Sequence, residues 1–190
     1  MQLVKERQGM EKKFFELCSK LVEDHGFSLY GLDYRPGQQM LCLFIENPET
    51  KTAVLDDCVL IDRAMTPFVE EESWMPSELT LEVSSPGVYR EVFEGIQFKD
   101  LVGERISLNL TPKLDSSMVI STGDAKEMKK WMGQKKVMAY LIEFDEDTEK
   151  LVISPDKNSS AKFAVTLEDI KKANVEPAWE DISNNKREEI

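Results

Sequence analysis

The sequence predicts an α+β protein: an N-terminal α-β-β-α-β domain, with two helices on a three-stranded sheet, followed by a small β-barrel. Three observations predict it. Two stretches before Gly87 carry apolar residues at helical spacing, and shorter alternating stretches lie between and after them. Beyond Gly87 the texture changes to short strands joined by polar turns. The 190 residues suit one or two domains, and a hydrophobic share of 41% is enough for two cores.

Residues 10 to 25 are expected to be helical. Met10, Phe14, Leu17, Cys18, Leu21 and Val22 line one face, charged residues fill the other, and Gly26 supplies a stop. Ser28 to Tyr34 and Met40 to Ile45 read as two strands, and Arg35-Pro36-Gly37-Gln38 as a type II turn joining them in a hairpin. Asp56 and Asp57 precede a second helical pattern through Cys58, Ile61, Met65, Phe68 and Val69. Aspartates there cap free N–H groups and complement the helix dipole. Pro67 predicts a kink or an end near Thr66. Leu79 to Val83 alternates as a half-buried strand, and Ser84-Ser85-Pro86-Gly87 breaks it.

In the second part, strands are expected at Ile106 to Leu110, Lys136 to Phe144, Leu151 to Ser154 and Lys162 to Thr166, with a short fifth near Asn174 to Glu176. Asp124-Ala125-Lys126-Glu127 has the spacing of a helix N-terminus, so a short helix is expected inside the connection from Thr111 to Gln134. The boundary is expected between Ser85 and Asp100. This gives an N-terminal domain at 1–87, a connection at 88–100, a β domain at 101–179 and a flexible tail at 180–190.

Charge and cysteine usage narrow the function. The net charge is −12; up to Gly87 there are 8 Lys+Arg against 16 Asp+Glu, so the acidity is concentrated there. Such a surface repels phosphate backbones except at local basic patches, and attracts basic proteins. Cys18, Cys42 and Cys58 form no Cys-x-x-Cys pair, and they read as buried thiols in a reducing compartment. With no apolar run of about 18 residues and a charged segment from Met1 to Gln8, the expected location is cytoplasmic.

Leu81-Glu82-Val83-Ser84-Ser85-Pro86-Gly87 resembles the signature of the RimP family of ribosome maturation factors. Leu55-Asp56-Asp57-Cys58, His25-Gly26-Phe27-Ser28-Leu29 and Asp169-Ile170-Lys171-Lys172-Ala173-Asn174 resemble further family segments, in family order, from about Glu11 to Trp179. The resemblance implies an SH3-like or Sm-like barrel as the second domain. It also implies a non-enzymatic assembly factor that binds the free small ribosomal subunit and promotes its maturation, with a basic ribosomal protein near the decoding centre as partner. Arg90 is retained from the family pattern. Tyr89 replaces an Asp, Glu91-Val92 replaces Pro-Leu, and Ala139 replaces a strand Gly.

Each candidate site has a plainer reading beside it. Ser84 and Ser85 invite a nucleophile, but the only histidine is His25, at a helix end, so turn-forming serines are expected. His25 has no spaced partner for a metal, and Asp56, Asp57 and Asp62 lack the pattern of a calcium loop. No Gly-rich phosphate loop exists, so no cofactor and no metal are expected. Glu70, Glu71 and Glu72, and the run Glu143 to Glu149, are either solvated surface or docking sites for a basic protein. The patch of Lys129, Lys130, Trp131, Lys135 and Lys136 is either a grip on rRNA or a solvated helix end whose Trp131 folds onto the barrel. A monomer that contacts no membrane is expected. The competing functions are a generic Sm-like RNA-binding protein and a serine hydrolase, the latter disfavoured by the lone histidine.

Overall fold

The computed structural model describes residue 3 and residues 6–177. The chain divides into two compact units: Glu6–Gly87, and Val88–Ile190 together with Met1–Lys5.

The first unit runs α1 (Gly9–Asp24), β1 (Ser28–Arg35), β2 (Met40–Glu46), α2 (Leu55–Glu71) and β3 (Thr80–Ser84). The sheet order is β1-β2-β3. β1 and β2 are antiparallel neighbours, whereas β3 runs parallel to β2, with Leu41 opposite Leu81 and Leu43 opposite Val83. Parallel neighbours need a crossover, and α2 supplies it. The apolar stripes of the helices (Phe14, Cys18, Val22; Ile61, Met65) close over Leu32, Leu41, Leu43 and Ile45 in one core.

Two local expectations are corrected here. The hairpin connection is a single 3-10 turn over Pro36–Gln38, not a type II turn. Proline suits the first position of such a turn because its φ is already helical. The left-handed residue is Gln39 (φ 48°), not Gly37, and its carbonyl accepts from the Thr80 N–H at 2.7 Å, joining the turn to β3. Of the kink or end expected near Thr66, the end is ruled out, because α2 runs through Pro67 to Glu71. Phe68 and Val69 still pack on the core beyond the proline, and that burial offsets one lost backbone bond. At the other end of α2, the Asp57 carboxylate accepts from the Val54 N–H at 2.9 Å.

The second unit contains β4 (Glu91–Val92), β5 (Arg105–Leu110), β6 (Val119–Ser121), α3 (Ala125–Trp131), β7 (Lys136–Asp145), β8 (Lys150–Ser154), β9 (Lys162–Thr166) and β10 (Ile170–Val175). They form one antiparallel sheet in the order β4-β10-β5-β7-β8-β9-β6. β4 and β6 are its edges, and no pairing among the described residues closes it into a barrel. Bulges lie at Ile170/Lys172, Leu141/Glu143 and Val119/Ser121, positions where strands bend. Phe98, Ile106, Leu108, Leu141, Ile153, Phe163 and Val165 form the core.

The expected connection at 88–100 is not a connection. Val92 pairs with β10, and Phe98, in a 3-10 segment over Gly95–Leu101, is fully buried in the second core. Leu3 likewise does not belong with the first unit. Leu3 is buried in the second core, and its N–H donates to the Lys171 carbonyl at 3.3 Å. β10 begins at Ile170, four residues before its expected start. Ile170, Ala173 and Val175 face the core, and Lys171-Lys172 hides that pattern in the sequence. The expected short helix is α3, but Glu127 does not reach back to Asp124; it accepts from the Ser159 hydroxyl at 2.6 Å. The tail expected at 180–190 and Trp179 lie outside the described residues.

The three cysteines are free and buried. Burial between the helices pushes the Cys18 thiol up to about 12. An unfolded chain releases this proton above the ordinary 9.0, while the folded chain holds it. The contribution of Cys18 to stability is therefore expected to be constant below pH 9 and to fall as pH rises toward 12. Thermal melts of the wild type and Cys18→Ala across that range check this. The stability difference between the two proteins should shift against the wild type with rising pH, and a pH-independent difference counts against it.

Candidate functional site

The signature segment ends β3. Ser84 stands opposite Phe44 at the last register position, and its hydroxyl donates to the Ser85 carbonyl at 3.1 Å. Gly87 has φ +73°, a left-handed conformation that side chains disfavour although nothing lies within 4 Å of where a Cβ would sit. The chain then enters the second unit. The Tyr89 carbonyl accepts from the Asn174 amide at 3.4 Å, and the Arg90 carbonyl from the Val175 N–H at 2.9 Å. Glu91 and Val92 take part in β4; the Glu91 carboxylate pairs with Lys172 at 3.2 Å, and Val92 is buried. Glu91 and Val92, two of the departures from the resembled pattern, are thus strand residues here. His25 caps α1 with its Nδ1 2.7 Å from the Leu21 carbonyl, a local bond at its own helix end. Among the described residues no three His, Cys, Asp or Glu side chains group as a metal site.

Glu70 and Glu71 occupy the last turn of α2, and Glu72 is its C-cap; all three are exposed. No basic residue shares that turn. A helix C-terminus is the negative end of the macrodipole, so each carboxylate there costs about 0.3–1 kcal/mol. Helix stability does not account for this cluster. The acidic run Glu143 to Glu149 is different. The Asp145 carboxylate accepts from the Asp147 and Thr148 N–H groups at 3.0 and 3.2 Å and from the Thr148 hydroxyl at 2.7 Å. These bonds, the hydroxyl first, hold its carboxyl below the ordinary range. Glu146 pairs with Lys99. Part of that run therefore builds the β7–β8 turn.

The basic patch divides. Lys129 and Lys130 lie in the last turn of α3, where positive charge suits the dipole. Lys135 and Lys136 are exposed at the entry to β7. Trp131 is only 7% exposed and stacks on Phe163 with centroids 5.3 Å apart and planes at 18°. Its face is occupied by the core, so it offers no platform for an RNA base. A cleft of about 300 Å³ does bring Lys130, Gln134 and Lys136 together with the rim of Trp131, and adds Met138; Lys129 and Lys135 do not line it. Sequence reasoning missed Met138 and Arg105, whose Nη2 is 3.0 Å from the Met138 sulfur. The signal was present: Val137, Ala139 and Leu141 face inward, so Lys136 and Met138 must face out.

Residues 17–89 match the family model of the RimP N-terminal domain.

Two outcomes are expected from these positions. Gly87→Val should destabilise the protein by about 1–2 kcal/mol, because a β-branched side chain is forced into the left-handed region. Ser85→Ala should cost much less, and equal melting temperatures would refute this assignment. Trp131→Ala should destabilise by about 3–5 kcal/mol, as large core truncations do, whereas Lys130→Ala should leave the melting temperature unchanged. Denaturant unfolding of the two variants distinguishes a core tryptophan from a surface one.

Proposed function

We propose that the protein is a non-enzymatic, cytoplasmic ribosome assembly factor that binds the free small ribosomal subunit and promotes its maturation. The observation that carries this reading is the match of residues 17–89 to the family model of the RimP N-terminal domain. The acidic end of α2 supports a basic ribosomal protein near the decoding centre as the main contact, because Glu70, Glu71 and Glu72 are kept against the helix dipole. The cleft with Lys130 and Lys136 supplies a smaller rRNA contact through phosphates. The second unit, read as an SH3-like fold, carries that cleft, and the protein acts as a monomer. Among the described residues no helix is long and apolar enough to cross a membrane.

Co-sedimentation with free small subunits, against assembled ribosomes, tests the reading. Binding to the free subunit alone is expected. Replacing Glu70, Glu71 and Glu72 by Lys should slow association, and the loss should shrink at high salt because screening already limits exposed charges to about 8 Å at 0.15 M. Binding to an isolated basic ribosomal protein should exceed binding to naked rRNA at one salt concentration. The reverse order would favour a generic Sm-like RNA-binding protein.

A further inference from the structure

We propose that the exposed face of the first half of α2 is an anchor for a cationic protein segment that also carries apolar side chains. The inference rests on the reading that the first unit meets a basic ribosomal protein, and it names the surface that would hold it.

The observation is an excess of exposed aliphatic residues on one short stretch. Leu55 is 77% exposed, Val54 61%, Leu60 45% and Val59 37%. Leu55 and Val59 are one turn apart on the same side of the helix, and Leu60 lies about 100° further round its exposed face. Cys58, Ile61 and Met65 form the buried stripe, so these four residues are not needed for the core. Scattered exposed apolar residues need no explanation, but four within seven positions make a patch, and such patches mark interaction surfaces.

The charges around the patch select its occupant. Asp56 and Asp62 are exposed beside it, and Glu70 and Glu71 lie further along the same helix, with Arg63 as the one exposed cation of α2. Nucleic acid and anionic lipid surfaces would be repelled by this face. A second copy in a two-fold contact would set the same carboxylates against each other. A protein segment with Lys or Arg for the carboxylates and aliphatic or aromatic groups for Leu55 and Leu60 satisfies both features. From Leu55 to Glu71 the helix rises about 24 Å, so one segment can engage the apolar start and the acidic end together. The apolar contact then supplies the slow dissociation and the acidic end the fast, salt-sensitive approach.

The test uses the full chain, a Leu55→Ser/Leu60→Ser variant and an Asp56→Asn/Asp62→Asn variant. The probes are salt-washed free small subunits, a synthetic amphipathic Leu/Lys peptide and an oligo-Lys peptide of equal charge. Both leucines are exposed, so the melting temperature of the first variant is expected to be unchanged. Its affinity for the subunits and for the Leu/Lys peptide should fall about tenfold or more, as loss of an interface anchor does; oligo-Lys binding should not change. The aspartate variant should weaken both peptides and flatten their salt dependence. Wild-type-like binding of the Leu55→Ser/Leu60→Ser variant to subunits and to the Leu/Lys peptide would overturn the proposal. A wild-type dimer that becomes monomeric in that variant would also overturn it, in favour of a second copy. If the wild type binds no subunits, the small-subunit reading falls, and the Leu/Lys peptide alone decides the surface.

Discussion

Parallel pairing of Met40–Phe44 with Thr80–Ser84 is the constraint on which the first unit depends. Two strands running the same way cannot be joined by a tight turn, so the chain must cross over one face of the sheet. That requirement puts α2 beside α1 and gives Leu41, Leu43, Leu81 and Val83 helical partners. It also fixes where β3 ends, and so where Ser84 to Gly87 hand the chain to the second unit. The same crossover turns one side of α2 outward over its whole length. Its apolar start and acidic end are presented to solvent because the opposite stripe is committed to the core.

Most of this architecture was legible from periodicity. α1 and α2 each bury one stripe while exposing a polar side, so their patterns survive in the sequence. β5, β7, β8 and β9 alternate cleanly for the same reason. The failures are also physical. β4 and β6 are two- and three-residue edge strands, too short to show a period. The hairpin turn misled because Pro-Gly suits a type II turn locally, while Gln39 is held left-handed by a bond to β3, a distant segment. Leu3 gave no signal, since a single apolar residue in a charged segment says nothing of where it packs.

The candidate surfaces were legible as charge and illegible as geometry. The sequence grouped Lys129, Lys130, Trp131, Lys135 and Lys136 because they are neighbours along the chain. Folding regroups them: Trp131 turns into the core, Lys130 and Lys136 share a cleft, and Arg105 arrives beside Met138 from another strand. The acidic residues divide in a similar way. Asp145 and Glu146 have partners that build or brace a turn, whereas Glu70, Glu71 and Glu72 sit where a helix would prefer the opposite charge. Opposition between local stability and residue choice is a sharper guide to a working surface than the density of charge.

The burial of Leu3 changes what kind of object the first unit is. Residues 6–87 are bracketed on both sides by chain that folds with the other unit, so topologically they are an insertion into it. During synthesis the inserted unit can fold as soon as Gly87 has emerged. Its host cannot finish, because Leu3 must wait for β10, some 170 residues later, before its N–H finds the Lys171 carbonyl. A fragment starting at Val88 would therefore be missing a piece of its own core, whereas the first unit's core draws on none of the described residues beyond Gly87.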